Sequence, residues 1–130
     1  MLSKDQVLEM FQKVYFDSID RGDMTRAVSI FHEDVEWIHT QVWEHDQYQR
    51  AKGSDRLKGR KAVEELLKER AAAVAKVNIR HVVRDLVFEG NRGAFIGYVG
   101  GSGKELPLIA WFETKDDKIS RYIVTPLYIP

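Results

Sequence analysis

The first regular pattern along the chain is a stripe of apolar residues at helical spacing. Leu8, Phe11, Tyr15 and Ile19 recur every three or four positions, with Val7 and Val14 widening the stripe, which predicts an amphipathic helix with one buried side. Ser3 followed by Gln6 has the form of a capping box, so the helix should start near residue 4. Gly22 suits a left-handed stop, and Asp23 can cap a second helix carrying Met24, Ala27, Val28 and Phe31. The period then changes from helical to alternating. A strand is expected from Val35 to Thr40, with Val35, Trp37 and His39 sharing one face.

Residues 41–58 follow no period and are mostly polar, punctuated by Val42, Trp43, Tyr48 and Leu57. A connection of that length is uncommon in a compact domain and often forms a functional cover, with Trp43 as its apolar tooth. A third helix is expected from Arg60 to Ala75, burying Val63, Leu66, Leu67 and Val74. Four β-rich runs follow, Ile79 to Phe88, Ala94 to Gly100, Leu106 to Thr114 and Ile119 to Ile129, separated by glycine- and charge-rich turns. Pro107 removes a backbone donor and predicts an edge or bulge there. This order predicts one α+β domain over residues 1–130, with helices packed on one face of a bent sheet.

Both faces of the later strands are apolar. Leu108, Ala110 and Phe112 alternate with Ile109 and Trp111, and Ile119, Arg121 and Ile123 alternate with Ser120, Tyr122 and Val124. Helices cover one face only. A homodimer through the other, carrying Leu108, Ala110, Phe112 and Ile123, is therefore expected.

Charge and composition narrow the function. Lys+Arg and Asp+Glu are both 20, for a net charge of zero, which gives no electrostatic footprint for nucleic acid or an anionic membrane. The absence of cysteine excludes disulfides, thiolate metal sites and a cysteine nucleophile. With no signal-like start and no membrane-length apolar run, a cytoplasmic protein is the default expectation.

His39 stands out because it puts an imidazole, able to move a proton near neutral pH, on the face of Val35 and Trp37. A neutral histidine hydrogen-bonded in a core is the plainer reading. Glu44-His45-Asp46 cannot converge on one metal, and His32, His39 and His45 lack the spacing of a zinc hydrolase, so no metal is expected. Gly100-Gly101-Ser102-Gly103 reads as a hairpin turn and not a phosphate cradle, so no cofactor is expected either. Arg84 and Asp85 are strand neighbours facing opposite ways, so at most one could enter a pocket.

Ile19-Asp20-Arg21-Gly22-Asp23, Phe31-His32-Glu33-Asp34-Val35-Glu36-Trp37 and Leu57-Lys58-Gly59-Arg60-Lys61-Ala62-Val63 resemble the nuclear transport factor 2-like superfamily, in its SnoaL-like and ketosteroid-isomerase-like branch. The resemblance covers nearly the whole chain. It implies a cone: a curved mixed sheet wrapped around a long N-terminal helix, three helices on its concave face, and a pocket at the open end. It also implies that Tyr15 stands where ketosteroid isomerases hold an oxyanion-stabilising tyrosine, and His39 where they hold the base. Ile109 falls near their second acid, which is missing here. By similarity to scytalone dehydratases, His81 matches a histidine that activates water or a leaving hydroxyl, and Asp20 falls near an aspartate of the first helix. Trp37, Trp43, Tyr98, Trp111 and Tyr122 would be aromatic walls and substrate contacts.

The function expected is a cofactor-independent acid–base enzyme, of isomerase, dehydratase or cyclase type, acting on a small hydrophobic carbonyl or hydroxyl compound. The alternative is a non-catalytic small-molecule binder or dimeric interaction module of the same fold.

Overall fold

A computed structural model of the chain describes residues 1–42, 54–75, 78–101 and 105–127. The first helix, α1 (residues 4–21), starts at the capping box. Ser3 Oγ accepts the Gln6 N–H at 3.1 Å, and Gln6 Oε1 accepts the Ser3 N–H at 2.8 Å. Its middle departs from the expected regularity: Lys4–Glu9 and Asp17–Arg21 are α-helical, while Met10–Phe16 is π-helical. The wider turn rotates the stripe, so Val7, Phe11 and Tyr15 are buried while Leu8 is exposed. Gly22, at φ 83°, turns the chain out of α1, and Asp23 caps the short α2, Met24–Ala27, through the Arg26 N–H. A 3₁₀ turn, Val28–Ile30, ends that segment. Phe31 belongs to the next strand and not to this helix.

Among the described residues six strands follow where five were expected: β1 Phe31–Thr40, β2 Ser54–Lys58, β3 Arg80–Glu89, β4 Arg92–Gly100, β5 Leu106–Lys115 and β6 Lys118–Pro126, with helix α3, Arg60–Ala75, between β2 and β3. The additional strand is β2. Its sequence, Ser-Asp-Arg-Leu-Lys, has one apolar residue and no hydrophobic period, and pairing along the β1 edge is what makes it a strand. The order across the sheet is β2-β1-β6-β5-β4-β3. Only β1 and β6 run parallel; the other neighbours are antiparallel. The sheet is curved and does not close. Its concave face carries the helices, and the Phe11 ring of α1 packs at 4.8 Å from both Phe95 and Phe112 and at 5.7 Å from Tyr122.

The expected faces of β5 are reversed. Leu108, Ala110 and Phe112 lie under the helices at 2% exposure or less, while Trp111 is 39% exposed on the convex side. In β6 the alternation slips: Ile119, Tyr122 and Val124 are all buried, because the pairing register shifts between Glu113 and Thr114. The convex face is therefore a different surface from the one the strand patterns suggested. One register row across it reads Glu89, Arg92, Glu113, Arg121, Glu36, Lys58. The row beside it reads Val87, Ala94, Trp111, Ile123, Ile38, Arg56.

Candidate active site

The concave face and the helices enclose a cavity of about 730 Å³, counting the open space at its mouth. Alpha1 contributes Tyr15, Phe16 and Ile19, and α3 contributes Leu67 and Arg70. The sheet contributes His39, His81, Val99, Leu108, Tyr122 and Val124. The walls are mostly apolar with a few polar groups, the composition of a small-molecule site.

His81 opens β3 at the edge of this cavity. Its Nδ1 lies 2.7 Å from Asp20 Oδ1, with both side chains largely buried, and its backbone N–H donates to Asp20 Oδ2 at 2.8 Å. A carboxylate accepts in such a bond, so the tautomer that satisfies it has Nδ1 as the donor toward Asp20. The ring lies flat on Phe16, 4.9 Å between centroids and 2° between planes. Gln12, in the π-helical stretch, fixes the strand end: its Nε2 donates to the His81 carbonyl at 2.9 Å and to Asp17 Oδ1 at 3.0 Å, and its Oε1 accepts the Val83 N–H at 2.7 Å. A π-helical turn beside a functional site is a recurrent arrangement.

Tyr15 and His39 also reach the cavity. The Trp37 indole N–H donates to Tyr15 Oη at 3.3 Å, leaving the phenol proton with no acceptor among the described residues. Burial pushes the Tyr15 pKa well above that of an ordinary phenol, outweighing the Trp37 hydrogen bond and the Arg70 charge. Burial raises Tyr122 as well, with Tyr15 beside it adding to the effect. Both phenols are neutral donors at physiological pH. His39 stacks on Trp37 at 4.9 Å and 4°. Burial first, and then the Arg70 charge, lower its pKa to about 4. Its Nδ1 is enclosed with no hydrogen-bond partner among the described residues.

Among the described residues of the lining, Arg70 brings the one arginine or lysine side chain. Its Nη2 donates to Asp55 Oδ2 at 2.6 Å, and Asp55 pairs in register with His39 across β2 and β1.

Tyr15, His39, His81 and Tyr122 thus line one cavity. The other expected wall residues do not line it. Trp37 is fully buried behind Tyr15 and His39, since the first contact its indole N–H finds is a phenol and not open space. Trp111 lies on the convex face, where its indole N–H reaches Glu113 at 3.0 Å. Tyr98 is also on that side, with the Arg84 guanidinium 5.4 Å from its ring centroid. For Trp111 the cause is that the β5 alternation had been assigned to the wrong face. Trp43, and most of the cover expected over residues 41–58, lies outside the described residues. Among the described residues, no three side chains of metal-ligating type converge.

Arg70 and Gln12 were not singled out from the sequence. Arg70 had a signal: it sits on the same helical stripe as Val63, Leu66 and Leu67, where a charge is out of place. Gln12 had none, since polar flank positions of a helix are usually solvated.

A curved, open α+β sheet around an N-terminal helix, with an apolar cavity edged by a partly buried histidine–aspartate pair, defines a cone-shaped pocket protein. The chain belongs to the SnoaL-like domain family, whose model matches residues 13–122. It is similar in structure to a provisionally named ketosteroid isomerase from Kribbella flavida, at 18% identity over 98% of this chain and 83% of that one, with a TM-score of 0.67. A SnoaL-like protein of unknown function from Burkholderia thailandensis is similar at 13% identity over 98% and 100% of the two chains, with a TM-score of 0.71. A de novo designed protein with a curved β-sheet matches at 17% identity over 95% and 86%, with a TM-score of 0.65. These likenesses are in fold, and a fold by itself carries no activity. No curated protein matches the chain. Among the described residues, no helix is long and apolar enough to cross a membrane.

Proposed function

We propose that the protein is a cofactor-independent acid–base enzyme, of isomerase, dehydratase or cyclase type, acting on a small hydrophobic carbonyl or hydroxyl compound. The observation that carries this reading is the 2.7 Å contact between His81 Nδ1 and Asp20 at the wall of an apolar cavity. A histidine oriented by a partly buried carboxylate has its other nitrogen available as a base. His81 Nε2 takes a proton from the carbon beside a carbonyl, and the electron pair moves onto the carbonyl oxygen. Tyr15, its own oxygen already accepting from Trp37, donates to that oxyanion. The enolate then regains a proton at another carbon, expels a β-hydroxyl as water with the proton from His81, or attacks a second carbonyl. His39, held neutral by burial, serves as a hydrogen-bonding group, and the proton-moving role expected for it passes to His81.

The test is solvent deuterium uptake at the α-carbon of 2-tetralone, followed by mass spectrometry. The wild type should accelerate exchange, and His81→Ala and Asp20→Asn should each remove roughly 10²-fold of the acceleration. Saturable binding of the ketone with no acceleration would replace this reading with a non-catalytic binder.

We further propose that a second copy of the chain covers the convex face. The row Glu89, Arg92, Glu113, Arg121, Glu36, Lys58 alternates in sign from strand to strand. A two-fold axis between Glu113 and Arg121 sets every acid of this row opposite a base of the other copy, and the neighbouring apolar row around Trp111 meets its mate. Light scattering should give twice 15.1 kDa; a monomer at micromolar concentration would refute it.

A further inference from the structure

We propose that Tyr122 is a second hydrogen-bond donor beside Tyr15, and that the two phenols together seat the carbonyl oxygen of a small apolar ketone. This deepens the proposed function, on which it rests for the ketone and the base, by adding a catalytic residue and fixing the polar end of the substrate.

Tyr122 belongs to the aromatic cluster shared by α1 and the sheet. Its ring centroid lies 5.6 Å from that of Tyr15, 5.7 Å from Phe11 and 6.0 Å from Phe31. It pairs in register with Trp37 on one side and with Phe112 on the other. The members of the cluster divide by position. Phe11, Phe31, Phe95 and Phe112 stand behind the cavity wall, whereas Tyr15 and Tyr122 form part of it. Phenylalanine would fill either tyrosine position without bringing a polar atom that must be satisfied. In this cluster hydroxyls occur only at the wall.

The direction of the two O–H groups follows from what they lack. Tyr15 Oη already accepts the Trp37 N–H at 3.3 Å, so its own proton is free for another acceptor. Tyr122 makes no hydrogen bond among the described residues, and burial, then Tyr15, raise its pKa with no bond to relieve them. Its residue surface is 1% exposed, yet its oxygen is not one of the sealed side-chain atoms left without a partner. The little surface it keeps therefore includes the oxygen, on the side of the cavity that Tyr122 lines.

A buried O–H without an acceptor is costly unless a ligand supplies one. Two un-ionised phenols side by side call for an oxygen that accepts twice. A ketone oxygen has two lone pairs and no proton of its own, so it accepts from both at once. An alcohol would occupy Tyr122 as an acceptor and leave only one donor facing it. When His81 takes the α-proton, the C–H pair becomes the new C=C bond and the carbonyl π pair moves onto that oxygen. Two donors fixed in an apolar wall then hold the developing charge better than Tyr15 alone.

The probe is 2-tetralone labelled with carbon-13 at its carbonyl, bound to the full chain. Hydrogen bonds to the oxygen move that resonance downfield. In the wild type it should lie downfield of the same ketone in an apolar solvent. Tyr15→Phe and Tyr122→Phe should each return it part of the way, and the double variant should return it fully. Tyr122→Phe should also weaken ketone binding about tenfold while leaving tetralin, the same skeleton without the oxygen, bound as before. A residue that only packs would weaken both compounds or neither. An unmoved resonance in Tyr122→Phe overturns the proposal, as does an equal loss for ketone and hydrocarbon. Should Tyr122→Phe fold poorly, Tyr15→Phe decides, since Tyr122 must preserve part of the downfield shift there and its complete loss refutes the second donor. A seated ketone without deuterium exchange leaves this proposal standing and removes the enzyme reading. Exchange that continues undiminished in Tyr122→Phe, with the resonance unmoved, does the reverse.

Discussion

The His39→Gln substitution isolates one buried imidazole and makes its protonation readable as stability. His39 has an ordinary value of 6.5 and is held at about 4 in the folded protein, chiefly by burial and then by Arg70. The unfolded chain takes up this proton near pH 6.5, and the folded chain only near pH 4. Between those values the unfolded state binds more protons, so stability falls as pH falls and is complete above about pH 6.5. At about 1.4 kcal/mol per pH unit, the gap corresponds to about 3 kcal/mol by pH 4. That is an upper figure, because the ring keeps part of its surface in contact with solvent. Glutamine is neutral and of similar length, so it removes the titration without emptying the site. Urea unfolding of both proteins from about pH 7 to about pH 4.5 gives the difference in stability at each pH, and carboxylates common to both cancel. The wild type should lose about 2–3 kcal/mol more than the variant over that range. A difference that stays constant with pH, or a His39 ring resonance titrating near pH 6.5, would refute the reasoning.

Gln12→Ala should cost about 2–3 kcal/mol in urea unfolding, because it removes donors to the His81 carbonyl and Asp17 and strands the Val83 N–H; an unchanged midpoint would mean the strand end is held by something else. Gly93→Ala should destabilise by about 1–3 kcal/mol, because a Cβ there runs into the Val87 carbonyl and the Phe112 ring, and a neutral result by thermal melting would contradict the close approach of β3 to β4. Trp111→Arg should leave the circular dichroism spectrum intact, since the ring is 39% exposed, yet run as a monomer in light scattering where the proposed convex-face contact makes the wild type a dimer; a variant that dimerises like the wild type would refute that contact.

How much of this was legible in the sequence depended on whether local pattern or long-range pairing decided each feature. The start of α1 was legible because Ser3 and Gln6 satisfy each other within one turn, and its end because Gly22 can take φ 83° at little cost. The π-helical stretch was not, since a side chain from its middle, Gln12, is bonded to backbone that arrives 69 and 71 residues later. Strand β2 was hidden for the same kind of reason: four of its five residues are polar, and they are held by β1. The reversed faces of β5 show a limit of alternation. Both faces were apolar, so the period fixed which residues go together but not which set meets the helices. The register shift at Glu113 and Thr114 then allowed both Ile119 and Tyr122 to be buried, breaking the rule on which the β6 faces had been divided.

The cavity's chemistry was more legible than its walls, and the reason is physical. His39 falls on the alternation of Val35 and Trp37, His81 on that of Ile79 and Val83, and Arg70 on the helical stripe of Val63, Leu66 and Leu67. In each case the period calls for an apolar residue. A polar group in such a slot loses its water on folding and must regain its hydrogen bonds from the protein or from a ligand. His81 regains one from Asp20 and Arg70 regains one from Asp55, while His39 Nδ1 regains none among the described residues. Folding alone supplies no reason to keep three such groups at once, since an apolar side chain would fill each position without that cost. The designed protein of the same curved-sheet class makes the same point from the other side, because the scaffold exists without a natural function to serve. What separates this chain from a bare scaffold is therefore where polar residues interrupt apolar periods, and the three interruptions lie on different elements, β1, α3 and the start of β3, that only the folded cone brings around one cavity.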